Sequence, residues 1–342
     1  MRWARTVTVV GVHAEGEAAQ VITGGVLPPP GESMFERMCH LRDHGDSLRR
    51  LLLFEPRGTA TLSLNLVTPP CAQEADVGLI IMESRYYVPM SGSNTISTVT
   101  ALLETGIVPM REPETTLTLD TPGGLVRVTA ECRNGRCTLV RFRNVPSFVL
   151  HHDKVIEVAG FGSIITNVAY GGMLYAIVDA AGLGFSVEPH EARDLVDLGE
   201  RIKAAAAVQL PAVHPENPQI NTVNQTLFAG PLSSAPTGKT ARNAVIVSPG
   251  RLDRSPCGTG TSARLALLHA NGEMRVGETL DHVSIIGTHF LGRIEDTTAC
   301  GTLPAVVNSI AGRGWVTSIA QVGLDPDDPL PEGYTLPDTW YA

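Results

Sequence analysis

The chain has 342 residues, enough for one large domain or two of ordinary size, and 43% of them are apolar against 18% charged, a globular rather than a disordered balance. A net charge of −9 argues against a nucleic-acid surface, which needs a basic stripe. The opening stretch MRWARTVTVVGVHAEGE meets charge too soon for a secretory signal, and the most apolar part, Gly162–Phe185, is broken by glycine pairs, Asn167 and Asp179, so no membrane span is expected. The six cysteines (Cys39, Cys71, Cys132, Cys137, Cys257, Cys300) lack the spacing of a disulfide framework, and reduced thiols in the cytoplasm are expected.

In chain order, short apolar segments read as strands at Thr6–Val12, Thr59–Leu66, Val77–Met82, Glu114–Asp120, Leu125–Ala130 and Thr138–Val145. Two of these are joined by Arg133-Asn134-Gly135-Arg136, and Asn-Gly is the strongest short hairpin signal. Further strands are expected near Ile164–Val168, Leu174–Asp179, Thr240–Val247, Ser284–Phe290 and Thr317–Gln321. Helices are expected at Ser93–Thr105, Glu191–Gln209 and Thr259–Asn271. With no regular strand–helix alternation, the class is strand-rich α+β.

Two loops repeat. Pro89–Thr98 reads PMSGSNTIST and Ser255–Arg264 reads SPCGTGTSAR. An offset of 166 residues sets Ser91 on Cys257, Gly92 on Gly258, Ser93 on Thr259, Leu102 on Leu268 and Gly106 on Gly272. Each loop opens a helix with hydroxyl residues and closes it with glycine. A repeat near half the chain length suggests two similar domains. A helix N-terminus presents unpaired N–H groups and a positive dipole end, so each loop can hold a carboxylate. Cys257 stands at such a mouth, where its pKa is expected to fall from a free value of ~8.5 and make the thiolate a nucleophile or base. An ordinary buried cysteine is the bland alternative. The polar, Gly-rich surroundings of Cys257 disfavour it, because they make a poor core and a good anion site.

On these residues the chain resembles the proline racemase superfamily, whose fold is that of diaminopimelate epimerase. The segment Asp253–Ala263, DRSPCGTGTSA, carries the resemblance, with support from Glu55-Pro56-Arg57-Gly58, Tyr170-Gly171-Gly172, His214-Pro215-Glu216, Ser284-Ile285-Ile286-Gly287 and Leu336–Trp340. The resemblance implies two pseudo-symmetric α+β domains, each a curved sheet or barrel around a central helix, with the active site between them. It places them at 1–148 with 308–342, carrying Ser91, and at 149–307, carrying Cys257. It implies no cofactor and no metal, a small imino acid as substrate, and a homodimer. Ser91 and Cys257 would be the catalytic pair, the N–H groups of Gly92, Ser93, Gly258 and Thr259 would hold the carboxylate, and Asp253 would meet the ring nitrogen.

The first loop departs from the family. Racemases read Met-Cys-Gly-His there, whereas this chain reads Met90-Ser91-Gly92-Ser93. Inversion at Cα wants two competent groups on opposite faces, and serine is a weak base without an activator. In trans-3-hydroxy-L-proline the α-hydrogen and the 3-hydroxyl share one face, so elimination of water can be syn and served from one side. The Ser-Gly-Ser-Asn loop resembles a dehydratase subgroup of the family. The expected activity is therefore dehydration of trans-3-hydroxy-L-proline to Δ1-pyrroline-2-carboxylate. The alternatives are 4-hydroxyproline 2-epimerase or proline racemase activity, and a binder without catalysis, against which Cys257 and Asp253 both count. Sequence does not orient the ligand, so either Cys257 or Ser91, helped by Ser93 or Asn94, could take the α-proton.

Other candidates are weaker. His13 in His13-Ala14-Glu15-Gly16-Glu17 reads equally as a site residue or a loop residue. His214 beside Pro215 reads as structural, and no His or Cys pair has metal-ligand spacing. Gly171-Gly172 lacks the strand–GxGxxG–helix context of a nucleotide site. The only lysines, Lys154, Lys203 and Lys239, offer no convincing pyridoxal anchor.

Overall fold

The computed structural model describes residues 3–340 and is α+β, as the strand-rich pattern requires. The chain forms two compact units, one running to Phe142 and resuming at Gly312, the other Arg143–Ala311. Among the described residues five α-helices occur: α1 (Met34–His44), α2 (Ser47–Leu53), α3 (Gly92–Glu104), α4 (Ala192–Gln209) and α5 (Gly258–Ala270).

The first unit is a curved sheet. Strand Arg5–Ala14 pairs antiparallel with both Gly314–Leu324 and Glu17–Gly24. From Glu17–Gly24 the ladder continues parallel to Ser63–Thr68 and antiparallel to Val77–Met82. It goes on parallel to Glu114–Thr121, then antiparallel to Gly124–Arg133 and to the strand that begins at Arg136. Helix α3 packs on the strands Arg5–Ala14, Glu17–Gly24, Ser63–Thr68 and Gly314–Leu324. Helices α1 and α2 bury Met34, Met38, Leu41, Leu48, Leu51 and Leu52 in a separate apolar cluster with Leu64 and Ile80.

In the second unit the same succession recurs. Strands Gly162–Tyr170, Leu174–Asp179, Gln225–Ala229, Gly238–Val247, Thr279–Val283, His289–Cys300 and Leu303–Gly312 follow one another as antiparallel, parallel, antiparallel, parallel, antiparallel, antiparallel. Strand Ser147–Val158 pairs with both Gly162–Tyr170 and the last strand, which closes the ring. Helix α5 packs against four of these strands, and α4 covers the outside through Leu195, Leu198, Ile202 and Ala206.

Helices α3 and α5 start at Gly92 and Gly258 and end at Glu104 and Ala270, so both ends keep the 166-residue offset. Both are almost wholly buried yet rich in Ser and Thr. Their hydroxyls bond back to carbonyls four residues earlier: Thr95 to Ser91, Thr98 to Asn94, Thr261 to Cys257, Ser262 to Gly258. That local satisfaction lets a hydroxyl-rich helix sit inside a sheet, although the buried hydroxyls of Ser97 and Thr100 in α3 have no hydrogen-bond partner among the described residues.

Two expected strands move. Ser284–Phe290 is mostly a turn between Thr279–Val283 and His289–Cys300, because Gly287 takes φ 79° and its N–H bonds to the Ser284 carbonyl. Residues 59–62 are a turn, and that strand begins at Ser63. Helices α1 and α2 were not expected, although α1 buries Met34, Met38 and Leu41 at helical i, i+4 and i+7 spacing behind the N-cap Ser33. Among the described residues no helix is long and apolar enough to cross a membrane.

Candidate active-site loops

The second loop is built around Cys257. Asp253 Oδ1 accepts hydrogen bonds from Ser255 N and Ser255 Oγ at 2.9 and 2.8 Å, and Ser255 Oγ accepts from Cys257 N at 3.1 Å. Asn243 Nδ2 holds the Pro256 carbonyl at 2.8 Å. These bonds turn the chain into α5 with Cys257 as its N-cap at φ 64°, ψ 110°. A non-glycine residue there stores on the order of 1–3 kcal/mol of strain, which persists only where the surroundings over-determine it. The first turn of α5 contains no acidic side chain, so its positive end is left for a ligand. The structure thus gathers Asp253, Cys257, Gly258 and Thr259 into one buried loop.

The sulfur of Cys257 lies 3.3 Å from Tyr175 Oη and 3.8 Å from Thr259 Oγ1, and the two hydroxyls are 2.6 Å apart. The expected fall in the thiol pKa is not found. Burial first, and the nearby Asp253 carboxylate second, push it well above its ordinary value, against smaller opposing pulls from Tyr175, the Gly260 N–H and Thr259. The helix-mouth argument assumed an exposed sulfur, whereas Cys257 is only 6% exposed. Desolvation of the charged form outweighs the dipole, so the unliganded loop holds a thiol.

Close packing fixes the start of α5. A Cβ on Gly171 would strike the Thr259 carbonyl oxygen and the Ala263 nitrogen, and one on Gly172 would meet Thr259 Cγ2 at 2.7 Å. Asn144 Nδ2 donates to the Gly171 carbonyl and to Ser262 Oγ, both at 2.7 Å. Glycines 171 and 172 are therefore packing residues that let a turn touch α5. Beneath them, Thr261 Oγ1 donates to the Cys257 carbonyl at 2.8 Å and meets His282 Nδ1 at 2.8 Å. Since the threonine proton is spent on the carbonyl, His282 Nδ1–H is the donor. Burial, with Arg264 adding repulsion, lowers the His282 pKa to about 3.

The first loop, in the other unit, has different chemistry. Ser91 caps α3 with ordinary extended angles, φ −149° and ψ 129°, and Gly92 and Ser93 follow in a first turn that likewise lacks an acid. Asn94 Nδ2 donates to Ser91 Oγ at 3.0 Å. The orientation of that amide follows from its other end, where Oδ1 accepts from Ser63 Oγ at 2.7 Å and from Asn65 Nδ2 at 3.0 Å. A lone pair of Ser91 is thus occupied by an N–H, and its own proton is left to donate. No His, Asp, Glu or Lys is bonded to Ser91 among the described residues.

His13 Nδ1 accepts the Gly16 N–H at 3.2 Å while its ring stacks on Trp315 at 4.9 Å, which are turn-holding contacts. His214 Nδ1 accepts the N–H groups of Glu216 and Asn217 at 3.2 Å, and its ring meets Tyr170 and Phe148 edge-on. Cys132 and Cys137 face each other across the hairpin as free thiols. No group of three or more His, Cys, Asp or Glu side chains could hold a metal ion among the described residues. Tyr175, Ser63, Asn65 and His282 escaped sequence reading. The first lies in an apolar strand and the others are far along the chain from the loops they support.

Comparison with known proteins places these loops in context. A family model described as proline racemase matches residues 9–335. A crystal structure of a hydroxyproline epimerase from Agrobacterium vitis, with bound trans-4-hydroxy-L-proline, is 41% identical with a TM-score of 0.92, covering 99% of this chain and 97% of that one. A probable proline racemase from Agrobacterium radiobacter K84, with bound carbonate, is 42% identical with a TM-score of 0.90, covering 98% of both chains. A PhzF-family phenazine biosynthesis protein from Bacillus anthracis shares the fold at 12% identity and a TM-score of 0.58, covering 93% of this chain and 99% of that one.

Proposed function

The chain belongs to the proline racemase family, and from that premise we propose that it dehydrates trans-3-hydroxy-L-proline to Δ1-pyrroline-2-carboxylate, with Cys257 as the base. The observation that carries this reading is the asymmetry of the two loops. Ser91 accepts an amide N–H and has no bonded base among the described residues, whereas Cys257 is a strained, buried thiol beside Asp253 and a helix mouth.

Two features of a bound imino acid offset the upward push on the thiol. Its ring ammonium neutralises Asp253, and its carboxylate is taken up by the N–H groups of Gly258 and Thr259. With those changes the thiol releases its proton to solvent as the substrate binds, and the Cys257 thiolate then removes the α-proton. The electron pair left at Cα forms the C2–C3 double bond as the C3–O bond breaks. The proton just taken by sulfur goes to the departing oxygen on the same face, releasing water. The enamine gains a proton at C3 and loses one from nitrogen to give the cyclic imine. Ser91, with Gly92 and Ser93, serves as a hydrogen-bond donor.

A second reading is 2-epimerisation of 4-hydroxyproline, favoured by the ligand bound to the 41% identical epimerase. There Ser91 must deliver a proton to the face opposite Cys257. Ser91→Ala separates the two. The proposal expects dehydration to survive within about tenfold while inversion is lost, and Cys257→Ala to abolish both. Loss of dehydration in Ser91→Ala, with Cys257→Ala still active, would overturn it.

A further inference from the structure

We propose that Tyr175 is a positioning residue for Cys257, its hydroxyl turning from Thr259 to the sulfur as the thiol becomes a thiolate. The inference rests on reading Cys257 as the base. It names a side chain that comes from a strand, Leu174–Asp179, rather than from the loop that carries the thiol.

The geometry is a closed triangle. Tyr175 Oη is 3.3 Å from Cys257 Sγ and 2.6 Å from Thr259 Oγ1, and Thr259 Oγ1 is 3.8 Å from the sulfur. Tyr175 is 1% exposed and lies on strand Leu174–Asp179, which follows the turn Gly171-Gly172 packed against α5. The phenol has one proton and two neighbours that can accept it. Beside a thiol, the better acceptor is the threonine oxygen at 2.6 Å, and the phenolic oxygen receives the weak S–H donor. Beside a thiolate, sulfur is the stronger acceptor, and a hydrogen bond to a charged group is worth more than one between neutral groups. Two hydroxyl rotations convert one pattern to the other, with no heavy atom moving and no proton leaving Tyr175. Burial, together with the negative charges of Cys257 and Asp253, raises the phenol well above its ordinary pKa, so it remains a donor throughout. The other groups acting on the sulfur are Asp253, which opposes the thiolate, and the Gly260 N–H and Thr259 hydroxyl, which favour it.

The test is the pH profile of Cys257 alkylation by iodoacetamide in the full chain, read by mass spectrometry on the peptide that carries Cys257. Tyr175→Phe keeps the ring and removes only the donor. It is expected to slow alkylation about tenfold at pH 8 and to move the profile to higher pH. With trans-3-hydroxy-L-proline, kcat is expected to fall about tenfold with KM within threefold. Site-specific 3-fluorotyrosine at position 175, a stronger donor of nearly the same size, is expected to move the profile to lower pH, which keeps the test independent of whether the Phe variant folds. Superimposable alkylation profiles for the native chain and both variants would overturn the proposal. Alkylation needs no turnover, so a failure of the dehydratase reading leaves this readout standing and is seen separately.

Discussion

His282 supports the Cys257 loop through Thr261, and its neutrality has a consequence for stability. Folded, its pKa is about 3, and unfolded it returns to ~6.5. The unfolded state therefore binds a proton that the folded state refuses. Stability is complete above pH 6.5 and is lost as pH falls toward 3, by about 2 kcal/mol from this residue at pH 5. Urea denaturation of the native chain and of His282→Asn at pH 7.5 and 5 checks this. The variant is expected to start less stable and to lose less on acidification. Asn94 does the matching work in the other loop, and Asn94→Ala strands the Ser63 and Asn65 donors that it now accepts. A loss of about 1–3 kcal/mol is expected, measurable as a lowered denaturation midpoint. At this scale the sequence singled out Ser91, Cys257 and Asp253, because they sit in short motifs at helix starts. It hid Tyr175 and His282, whose partners are 82 and 21 residues away. It also misjudged the thiol, since burial of a sulfur inside a polar motif is a tertiary fact.

The two central helices are legible as elements because capping hydroxyls and terminal glycines are local signals. Their burial is not, since Ser and Thr ordinarily mark a surface, and back-bonds to preceding carbonyls, with side-chain partners such as Asn144 and His282, satisfy most of these hydroxyls inside. Strands with hairpin or apolar-run signals fall where expected, as Val77–Met82 and Leu174–Asp179 do. Ser284–Phe290 fails because a glycine at positive φ turns the chain within an apolar run. The contact between turn and helix also gives a prediction. Gly171→Ala forces α5 to shift, because the added carbon meets backbone on both sides. A loss of about 3 kcal/mol is expected, with impaired turnover because the Cys257 loop is the part displaced. An unchanged midpoint in urea would show that the turn yields instead.

Over the whole chain, one ladder order occurs twice, each copy with a central helix whose start and end lie 166 residues from those of the other. The loop alignment and the half-length offset pointed to this repeat, while the pairing order and the closure of the second ring are set by contacts distant in sequence. The repeat makes the difference between its copies meaningful: a thiol is retained in one loop and a hydroxyl stands in the other. Restoring the missing pair with Ser91→Cys and Ser93→His is expected to raise Cα inversion of 4-hydroxyproline relative to dehydration, measured as the ratio of the two rates. The central claim is that one thiol suffices for elimination. The most direct measurement is proton NMR of the purified protein in D2O with trans-3-hydroxy-L-proline, trans-4-hydroxy-L-proline and L-proline in parallel. The expected result is conversion of the 3-hydroxy compound to Δ1-pyrroline-2-carboxylate faster than any deuterium enters Cα of the other two. Inversion and deuteration of trans-4-hydroxy-L-proline or proline, with the 3-hydroxy compound untouched, would contradict it.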